Sequence, residues 1–461
     1  MNKATLLIIG ALVLSSCKFG PNFSGARSPE LPAVWVNHLP PASSDEDLQI
    51  WWACFRDEQL NRLIAKGIEN NPDMVTAAIA IARVETELRA TEANLFPTVS
   101  AGLSGSNGSS FSTSTSHGRW NGSLSASWTP DIWGGTRRQV EAAFANVGST
   151  RAAAAATRTA LASGIATTYF EWISAKESLR FARQQLAYQE NTYNIVAKQV
   201  ATGFQSSLDL AQAESAIAGT RAQIPAHEAN IKSAENALAI YLGTTVDQIH
   251  LVMPSPSVYN YIPRVPTGLP SDLLRRRPDV LRAECQLHQA TASIGVQVAN
   301  LFPRISLSGG ANMSSSSDFA DFFRGAGWSL SASATQTIFN REQLRANVKL
   351  AKLAEQESAQ NYRKVVLAAF AEVESRLIDY AKLTNQLPQY EKASASGKQA
   401  AELSQKLYVG GFTNFLNVAS AERSWLNAEL NLIATRQQIR ISLARLCTAL
   451  GGGWSSSHRK K

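Results

Sequence analysis

One arrangement of residues occurs twice in this chain and limits the folds that the chain can adopt. Asn71-Pro72-Asp73 is followed by an Ala-Asn-Leu-Phe-Pro run that ends at Pro97, and Arg277-Pro278-Asp279 is followed by the same run ending at Pro303. Both motifs lie 206 residues from their copies, and chance matches of short motifs do not keep one spacing twice. Because only two long copies are present, the pattern predicts one protomer with two similar halves, and not a solenoid of many short repeats.

The duplication sets the predicted domain boundaries. We place the first repeat at residues 51–257, the second at residues 258–454, and a polar tail at residues 455–461. Each repeat has the same predicted order, which is a helix, a β-hairpin and a long helical hairpin. The predicted β-hairpins lie at residues 98–129 and 304–338, and the predicted helical hairpins lie at residues 134–243 and 341–450.

The N-terminus has the pattern of an export signal. Lys3 precedes a short apolar run, and two serines then lead to Cys17. The run is too short to span a bilayer as a helix, so residues 1–16 are predicted to be a signal peptide. The Ser-Ser-Cys ending resembles the lipobox of bacterial lipoproteins, which implies a covalent lipid on Cys17; the alternative is an ordinary signal peptide with an incidental cysteine. The residue after the cysteine is Lys18 and not aspartate. By analogy with these lipoproteins, the lack of aspartate there implies sorting to the outer membrane.

The segment after the signal is rich in proline and poor in periodic apolar residues. Residues 17–50 contain Pro21, Pro29, Pro32, Pro40 and Pro41. Such a composition predicts an extended, lipidated tether that leads to the folded part. From Trp51 to Asn70 the apolar spacing predicts one short amphipathic helix.

Inside each predicted β-hairpin the apolar residues recur with a period of two. Apolar and small polar residues alternate on either side of two predicted polar loops, Asn107–Gly118 and Ser314–Gly325. Strands of about ten residues, with one apolar face and tryptophans near the ends, are typical of membrane barrels. The alternative is a soluble sheet that packs on one face. The apolar positions include Val99, Leu103, Trp120, Leu124, Trp128, Ile305, Leu307, Trp328 and Leu330.

Four strands are too few to close a barrel. Small membrane barrels need at least about eight strands, and an open sheet edge in lipid leaves backbone groups unsatisfied. Several copies of the chain must therefore share one barrel. Patterning does not choose between a dimer with about eight strands and a trimer with about twelve.

Long helices follow each β-hairpin. Apolar residues recur every seven positions, which is the pattern of a left-handed coiled coil. At about 1.5 Å per residue, each first helix would approach 100 Å. Gly203 and Gly410-Gly411 are predicted to end these helices and turn the chain back, while Pro225 and Pro388 predict bends. The seam residues include Ile165, Trp172, Leu179, Leu186, Tyr193 and Val200, and in the second copy Val366, Phe370, Val373 and Leu377.

Several function classes are disfavoured by what the chain contains. The formal charge of +8 is spread along the chain without a basic stripe among aromatics, which argues against nucleic-acid binding. Histidine and cysteine spacings match no metal site, and no phosphate-binding loop or catalytic triad motif is present. We predict no enzyme activity, no metal and no cofactor apart from the lipid. Gly451–Gly453 is predicted to be a linker, and Arg275–Arg277 a solvated helix end.

The run from Leu269 to Val280 reads Leu-Pro-Ser-Asp-Leu-Leu-Arg-Arg-Arg-Pro-Asp-Val. This run, the lipobox and both Phe-Pro strand starts resemble those of TolC-type outer-membrane factors, specifically the NodT/OprM-like efflux lipoproteins. The resemblance covers nearly the whole chain. It implies a mostly helical homotrimer, with a shared transmembrane β-barrel of twelve strands and an α-barrel of twelve helices in the periplasm. It also implies two partners, a periplasmic adaptor (membrane fusion protein) and an inner-membrane pump.

The same resemblance implies where function lies. The two turns at the ends of the helical hairpins meet the adaptor in the family. The residues implied there are Gly203, Phe204, Leu208, Gly411, Phe412 and Leu416.

The implied pore constriction departs from the family pattern. Related ducts carry inward aspartates soon after the start of the last helix, where this chain has Asn417 and Ser420. Tyr408 matches a tyrosine that helps to hold the closed state, and Thr413 stands where some members have an arginine. Asp209 is a nearby acid on the other hairpin. We therefore predict a weaker charge filter than is usual in the family.

Three functions are compatible with such a chain. The first is an outer-membrane exit duct for drugs or other small molecules, and the second is the outer-membrane component of a type I protein secretion system. A coiled-coil surface adhesin is the third, but it does not explain why a β-hairpin begins each helical run. The lipobox and the NodT/OprM-like motifs favour the efflux duct.

Overall fold

The structure is a computed structural model. It describes residues 18–37, 48–109, 116–263, 270–315 and 326–455. The predicted signal peptide, the lipidation residue Cys17 and most of the polar tail lie outside the described residues. Within the described part of the chain, no helix is long and apolar enough to cross a membrane.

The chain forms two compact units, and these are not the two sequence repeats. The sheet unit takes the described parts of Met1–Ser28, Ile79–Ala152 and Arg282–Val365. The helical unit takes those of Pro29–Ala78, Ala153–Leu281 and Val366–Lys461. Each unit combines equivalent segments of both repeats, because every repeat runs from one unit into the other along its long helices.

The sheet unit contains four antiparallel strands in the order β1-β2-β3-β4. The two hairpins are joined because β2 pairs with β3, with Trp128 opposite Leu307. The strands are β1 (Thr98–Ser109), β2 (Ser116–Trp128), β3 (Arg304–Ser315) and β4 (Gly327–Thr335).

The predicted polar loop at Asn107–Gly118 is too long. Both strands of the first hairpin continue into it, and Asn107 pairs with Gly118 while Ser109 pairs with Ser116. Small polar residues satisfy the ladder as well as apolar ones do, because the pairing uses backbone groups. The second hairpin ends at Thr335, three residues before the predicted end at residue 338.

Most large apolar residues of the sheet are exposed in the chain, whereas Ile305 and Leu307 are half-buried. Val99 and Leu103 are 63% and 68% exposed, and Trp328 and Leu330 are 83% and 79% exposed. A soluble sheet with one packed face would bury such residues. The described chain does not cover them, which favours a face that meets lipid over a packed soluble sheet.

The first described residues of the predicted extended tether have no helix or strand and are packed within the sheet unit. Phe19 stacks on Phe302 with ring centroids 4.8 Å apart. The buried Arg138 donates hydrogen bonds to the carbonyl oxygens of Phe19 and Gly20 and to Oδ1 of Asn22. These contacts hold Phe19, Gly20 and Asn22 in place, and proline content alone does not predict them.

The same segment is also packed within the helical unit. The Trp35 ring stacks on Phe370 at 5.4 Å. The backbone N–H groups of Val36 and Asn37 donate to the Glu374 carboxylate at 2.7 and 3.2 Å. Leu48–Phe55 then forms a 3-10 helix.

The single helix predicted from Trp51 to Asn70 is wrong, because the chain breaks at Arg56. Arg56 has a φ of 56°, which a helix cannot accommodate. Asp57 then caps a new helix, α1 (Glu58–Asn70), by accepting from the N–H groups of Gln59 and Leu60. The capping aspartate in the middle of the apolar pattern was the available sequence signal.

The long helices are confirmed. Two of them have 67 and 69 residues, and both Pro225 and Pro388 lie inside continuous helices. The predicted seam is buried at Ile165, Trp172 and Val366. The helices are α2 (Pro72–Ala93), α3 (Gly135–Ala201), α4 (Ser207–Tyr241), α5 (Pro256–Tyr259), α6 (Leu273–Arg276), α7 (Pro278–Ala299), α8 (Arg341–Val409) and α9 (Phe415–Ala449).

One residue of the predicted solvated helix end and the whole of the predicted linker are packed in the helical unit. Arg275 and Arg276 are exposed as predicted, but Arg277 is buried. Its guanidinium donates to the carbonyl oxygen of Ala449 at 2.7 Å. Gly451–Gly453 is buried and not a linker, since the N–H of its last residue donates to the carbonyl oxygen of Leu48 at 2.9 Å.

Candidate functional site

Two turns of nearly identical geometry connect the long helices. Gly203 and Gly411 have φ values of 75° and 76°, a left-handed conformation that glycine adopts without strain. The next residue in each turn, Phe204 or Phe412, donates its N–H at 2.9 Å to the carbonyl oxygen five residues earlier. This is the bond of a Schellman cap, which satisfies a carbonyl group at the end of a helix.

Each return helix also begins with a side-chain cap. Ser206 Oγ accepts from the N–H of Leu208 at 3.0 Å, and Asn414 Oδ1 accepts from the N–H of Asn417 at 3.2 Å. Residues of this type are preferred at such positions because they satisfy N–H groups that have no partner inside the helix. The caps hold both turns in a defined shape.

The two turns expose the same apolar side chains to the same extent. Phe204 and Phe412 are both 83% exposed, and Leu208 and Leu416 are both 61% exposed. Solvent-facing phenylalanine in two rigid turns contributes little to the core of the chain. Exposed apolar patches of this kind mark surfaces that bind other proteins.

A buried apolar group, which we call the tip cluster, lies directly behind the turns. It brings together residues of both helical hairpins. Tyr408 is fully buried in it, and its ring meets Phe415 edge-on at 5.6 Å. The tip cluster consists of Val196, Ala213, Tyr408, Phe415 and Val418.

Tyr408 also joins the two helical hairpins by a polar contact. Its hydroxyl group donates to Oδ2 of Asp209 on α4 at 3.3 Å. Burial raises the pKa of Tyr408 to about 12, and the negative charge of Asp209 adds to the shift. The hydroxyl therefore stays protonated and able to donate at neutral pH. The sequence placed Asp209 near the tip but did not pair it with Tyr408.

The other three residues of the implied constriction, Thr413, Asn417 and Ser420, are not buried as Tyr408 is. Asn417 and Ser420 are exposed, one helical turn apart on α9, while Tyr408 is buried. The Asn417 side chain donates through Nδ2 to Thr413 Oγ1 at 2.8 Å. The structure thus brings Thr413 and Asn417 together, whereas the hydroxyl of Tyr408 bonds to Asp209. The exposed face of α9 near the tip carries amide and hydroxyl groups in place of carboxylates.

One buried acid was missed by the analysis of the sequence. Glu422 lies on α9, is only 2% exposed and shares the buried face of the helix with Val418 and Trp425. Residues spaced by four and three along a helix fall on one face. A glutamate in register with buried apolar neighbours was therefore the signal.

The described residues contain no cluster of histidine, cysteine, aspartate or glutamate that could hold a metal ion. Cys54 and Cys447 are buried and Cys285 is half-buried.

The candidate site combines two apolar turns, the buried tip cluster and a helix face that carries amide and hydroxyl groups. Together with a four-stranded sheet whose large apolar residues are mostly exposed, they are typical of an outer-membrane duct.

Comparison with known proteins supports this class. A family model for the outer membrane efflux protein matches residues 63–244 and 269–452. The chain is 30% identical to the probable outer membrane lipoprotein SilC of Salmonella typhimurium over 98% of this chain and 100% of that protein. It is 30% identical to the antibiotic efflux pump outer membrane protein ArpC of Pseudomonas putida, over 98% of this chain and 96% of that protein.

A solved structure has the same fold. The open state of the MtrE outer membrane channel of Neisseria gonorrhoeae superposes with a TM-score of 0.86 at 28% identity, covering 95% of this chain and 99% of that one. This chain belongs to the outer membrane efflux protein family. It is an outer-membrane channel protein of an efflux system, as the resemblance in the sequence implied.

Proposed function

We propose that three copies of this chain form one passive duct through which drugs or other small molecules leave the periplasm. The observation that carries the proposal is the sheet. Strands β1 and β4 are its edges, and each pairs on one side only within the described chain. Edges in lipid must be paired, so neighbouring copies complete the barrel. Three copies supply about twelve strands, the number that the family resemblance implies.

The duct works with a periplasmic adaptor and an inner-membrane pump. The exposed phenylalanine and leucine of each tip supply the apolar surface on which the adaptor docks. The duct itself catalyses no reaction, because transport needs only a wet path and an opening. The name of ArpC, an antibiotic efflux pump component, supports small molecules as cargo.

Cys17 carries the lipid that anchors each copy. The Ser-Ser-Cys ending of the signal and the description of SilC as a probable lipoprotein both support this assignment. A lipid at this position would hold the start of the packed N-terminal segment at the membrane surface. Mass spectrometry of the N-terminal peptide tests the proposal, and an unmodified Cys17 would contradict it.

Two measurements test the duct as a whole. Native mass spectrometry of the detergent-solubilised protein should give three copies, and a conducting monomer would refute the shared barrel. Deleting the protein should raise the accumulation of efflux substrates in cells and leave the secreted proteins unchanged. Loss of a secreted protein with normal compound efflux would instead indicate type I protein secretion.

Restoring carboxylates at the constriction should create a charge filter. In a trimer, Asn417→Asp with Ser420→Asp adds six carboxylates to the pore, and close like charges attract cations strongly where water is confined. We expect the K⁺ to Cl⁻ permeability ratio to rise at least about threefold over wild type, and millimolar divalent cations to block the current. Single-channel recording in planar bilayers measures both. Asn194→Asp, at an exposed site on α3, is the matched control and should leave the ratio unchanged.

A further inference from the structure

A buried polar layer separates two apolar clusters in the helical unit. The tip cluster lies on one side of it along each helix. The shaft cluster, defined as Phe181, Ala401, Trp425, Leu426 and Ile433, lies on the other. The polar layer consists of the buried residues Gln185, Gln189, Thr192 and Glu422 and the half-buried Gln405.

The same order holds in three helices. On α3 the polar residues fall between Phe181 and Val196, and on α8 Gln405 falls between Ala401 and Tyr408. On α9 Glu422 falls between Val418 and Trp425. The packing between the two helical hairpins is therefore apolar, then polar, then apolar along its length.

Unpaired acceptors outnumber unpaired donors in the polar layer. Within the described chain, Oε1 of Glu422, Oε1 of Gln189 and Oε1 of Gln185 are buried acceptors without a partner, against one buried donor without a partner, Nε2 of Gln185. The hydroxyl of Thr192 accepts from Gln405 Nε2 at 2.8 Å. Its single proton is shared between the carbonyl oxygen of Tyr188 at 3.1 Å and the carboxylate of Glu422. Unpaired acceptors in a buried layer are costly.

A proton on Glu422 would correct this imbalance. An ionised carboxylate only accepts hydrogen bonds, whereas the protonated form also donates one. The new O–H group would have unpaired acceptors in its own layer. The layer is thus better satisfied with a neutral Glu422 than with a charged one.

The electrostatic surroundings act in the same direction. Burial raises the pKa of Glu422 to about 7, against hydrogen bonding from Gln189 and Thr192 that lowers it. No cationic side chain pairs with Glu422 in the described part of the chain. The titratable groups around it are Tyr188 on α3, whose pKa is raised to about 12 by burial and by the charges of Glu422 and Glu402, and Glu402 on α8. Neither offers a positive charge.

We propose that Glu422 is a gating residue: proton uptake by its carboxyl group fastens the two helical hairpins together at the polar layer, and proton release loosens the tip. The proposal deepens the proposed duct function, because it names the group that sets the pH at which the tip opens. The contact between Tyr408 and Asp209 holds the hairpins at the tip, and Glu422 holds them one layer further along.

The sign of the pH dependence follows from the raised pKa. The stabilisation of the packed tip is complete below the ordinary glutamate pKa of 4.5 and is lost as the pH rises through about 7. A shift of this size changes the ratio of packed to loosened tip by up to about 10²-fold. Acidification therefore closes the tip, and neutral pH favours opening.

Hydrogen–deuterium exchange of the full-length trimer tests the proposal without requiring conduction. Peptides that cover residues 181–200 and 415–430 should exchange faster at pH 7.5 than at pH 5.5, after correction for intrinsic rates. Glu422→Gln, which mimics the protonated form, should remove this difference and keep slow exchange at both pH values. Glu402→Gln makes the same chemical change at an exposed position on α8 and should behave as wild type.

The outcomes are distinct. An unchanged pH dependence in Glu422→Gln, or its equal loss in Glu402→Gln, overturns the proposal. A flat profile in the wild type overturns it as well, even if the variant does not fold. Conductance at the two pH values is recorded in parallel, so a trimer that shows the exchange result but conducts no current would refute the duct and leave the proton-dependent packing in place.

Discussion

Replacing both tip phenylalanines with serine, Phe204→Ser together with Phe412→Ser, will abolish efflux while leaving the fold intact. Each side chain is 83% exposed, so its loss removes almost nothing from the core of the chain. Buried aromatic hot spots at an interface are each worth about 2 kcal/mol or more, and the two changes together should weaken adaptor binding at least about 10³-fold. We expect cells that carry this variant to be as sensitive to exported compounds as cells that lack the protein.

Two controls separate docking from folding in this experiment. The double replacement by leucine keeps an apolar side chain in each turn and should retain most of the efflux. The thermal melting point of the serine variant should match wild type within about 1 °C, since surface substitutions rarely change stability. Adaptor binding is measured by biolayer interferometry on the immobilised trimer. Wild-type binding and efflux by the serine variant would show that the adaptor docks elsewhere.

The elements that the sequence predicted well are those with local causes. The strands follow from a period of two, and the long helices follow from a seven-residue repeat with few interruptions. The turns follow from Gly203 and Gly411, because a helix that ends in a left-handed residue favours glycine. None of these patterns needs knowledge of what lies across the fold.

The features that the sequence missed depend on residues far apart in the chain. Arg277 is buried because Ala449 and Glu372 reach it from α9 and α8, and nothing in the Arg-Arg-Arg run distinguishes it from its exposed neighbours. The pairing of Tyr408 with Asp209 likewise joins residues of different repeats. Composition predicted an extended N-terminal segment but not the aromatic contacts that hold it, because proline content describes chain stiffness alone.

The duplication explains why the fold class was nonetheless clear. Two copies of one pattern gave each element a second, independent occurrence, as at the two tip turns. The chemistry of the site has no such repetition. Glu422 in α9 corresponds to Glu214 in α4 at the same 208-residue spacing as the two turns, yet Glu214 is exposed and Glu422 is buried. The helices that pack against these two glutamates differ between the copies. This packing determines which glutamate is buried.

Replacing Arg277 with alanine will strongly destabilise the helical unit. The guanidinium donates to the carbonyl oxygen of Ala449 at 2.7 Å, to both carboxylate oxygens of Asp279 at 2.7 and 3.0 Å, and to Glu372 at 2.9 Å. Its removal leaves the carbonyl of Ala449 unpaired and Asp279 without a cation, while Glu372 keeps only the longer contact to Arg376 at 3.9 Å. Breaking a buried pair costs about 3–5 kcal/mol, and the partial exposure of both acids reduces this to about 2–4 kcal/mol.

A neighbouring arginine provides a matched control for Arg277→Ala. Arg275→Ala removes the same group from an exposed position two residues away and should shift stability by less than about 0.5 kcal/mol. Arg277→Lys keeps the charge but not the planar fork that reaches four acceptor atoms on three residues, so its melting point should fall between those of the two alanine variants. Circular dichroism at a fixed scan rate measures all three. Equal melting points for Arg277→Ala and Arg275→Ala would contradict this prediction. They would mean that the carbonyl of Ala449 finds another donor at no cost and that the network does not stabilise the fold.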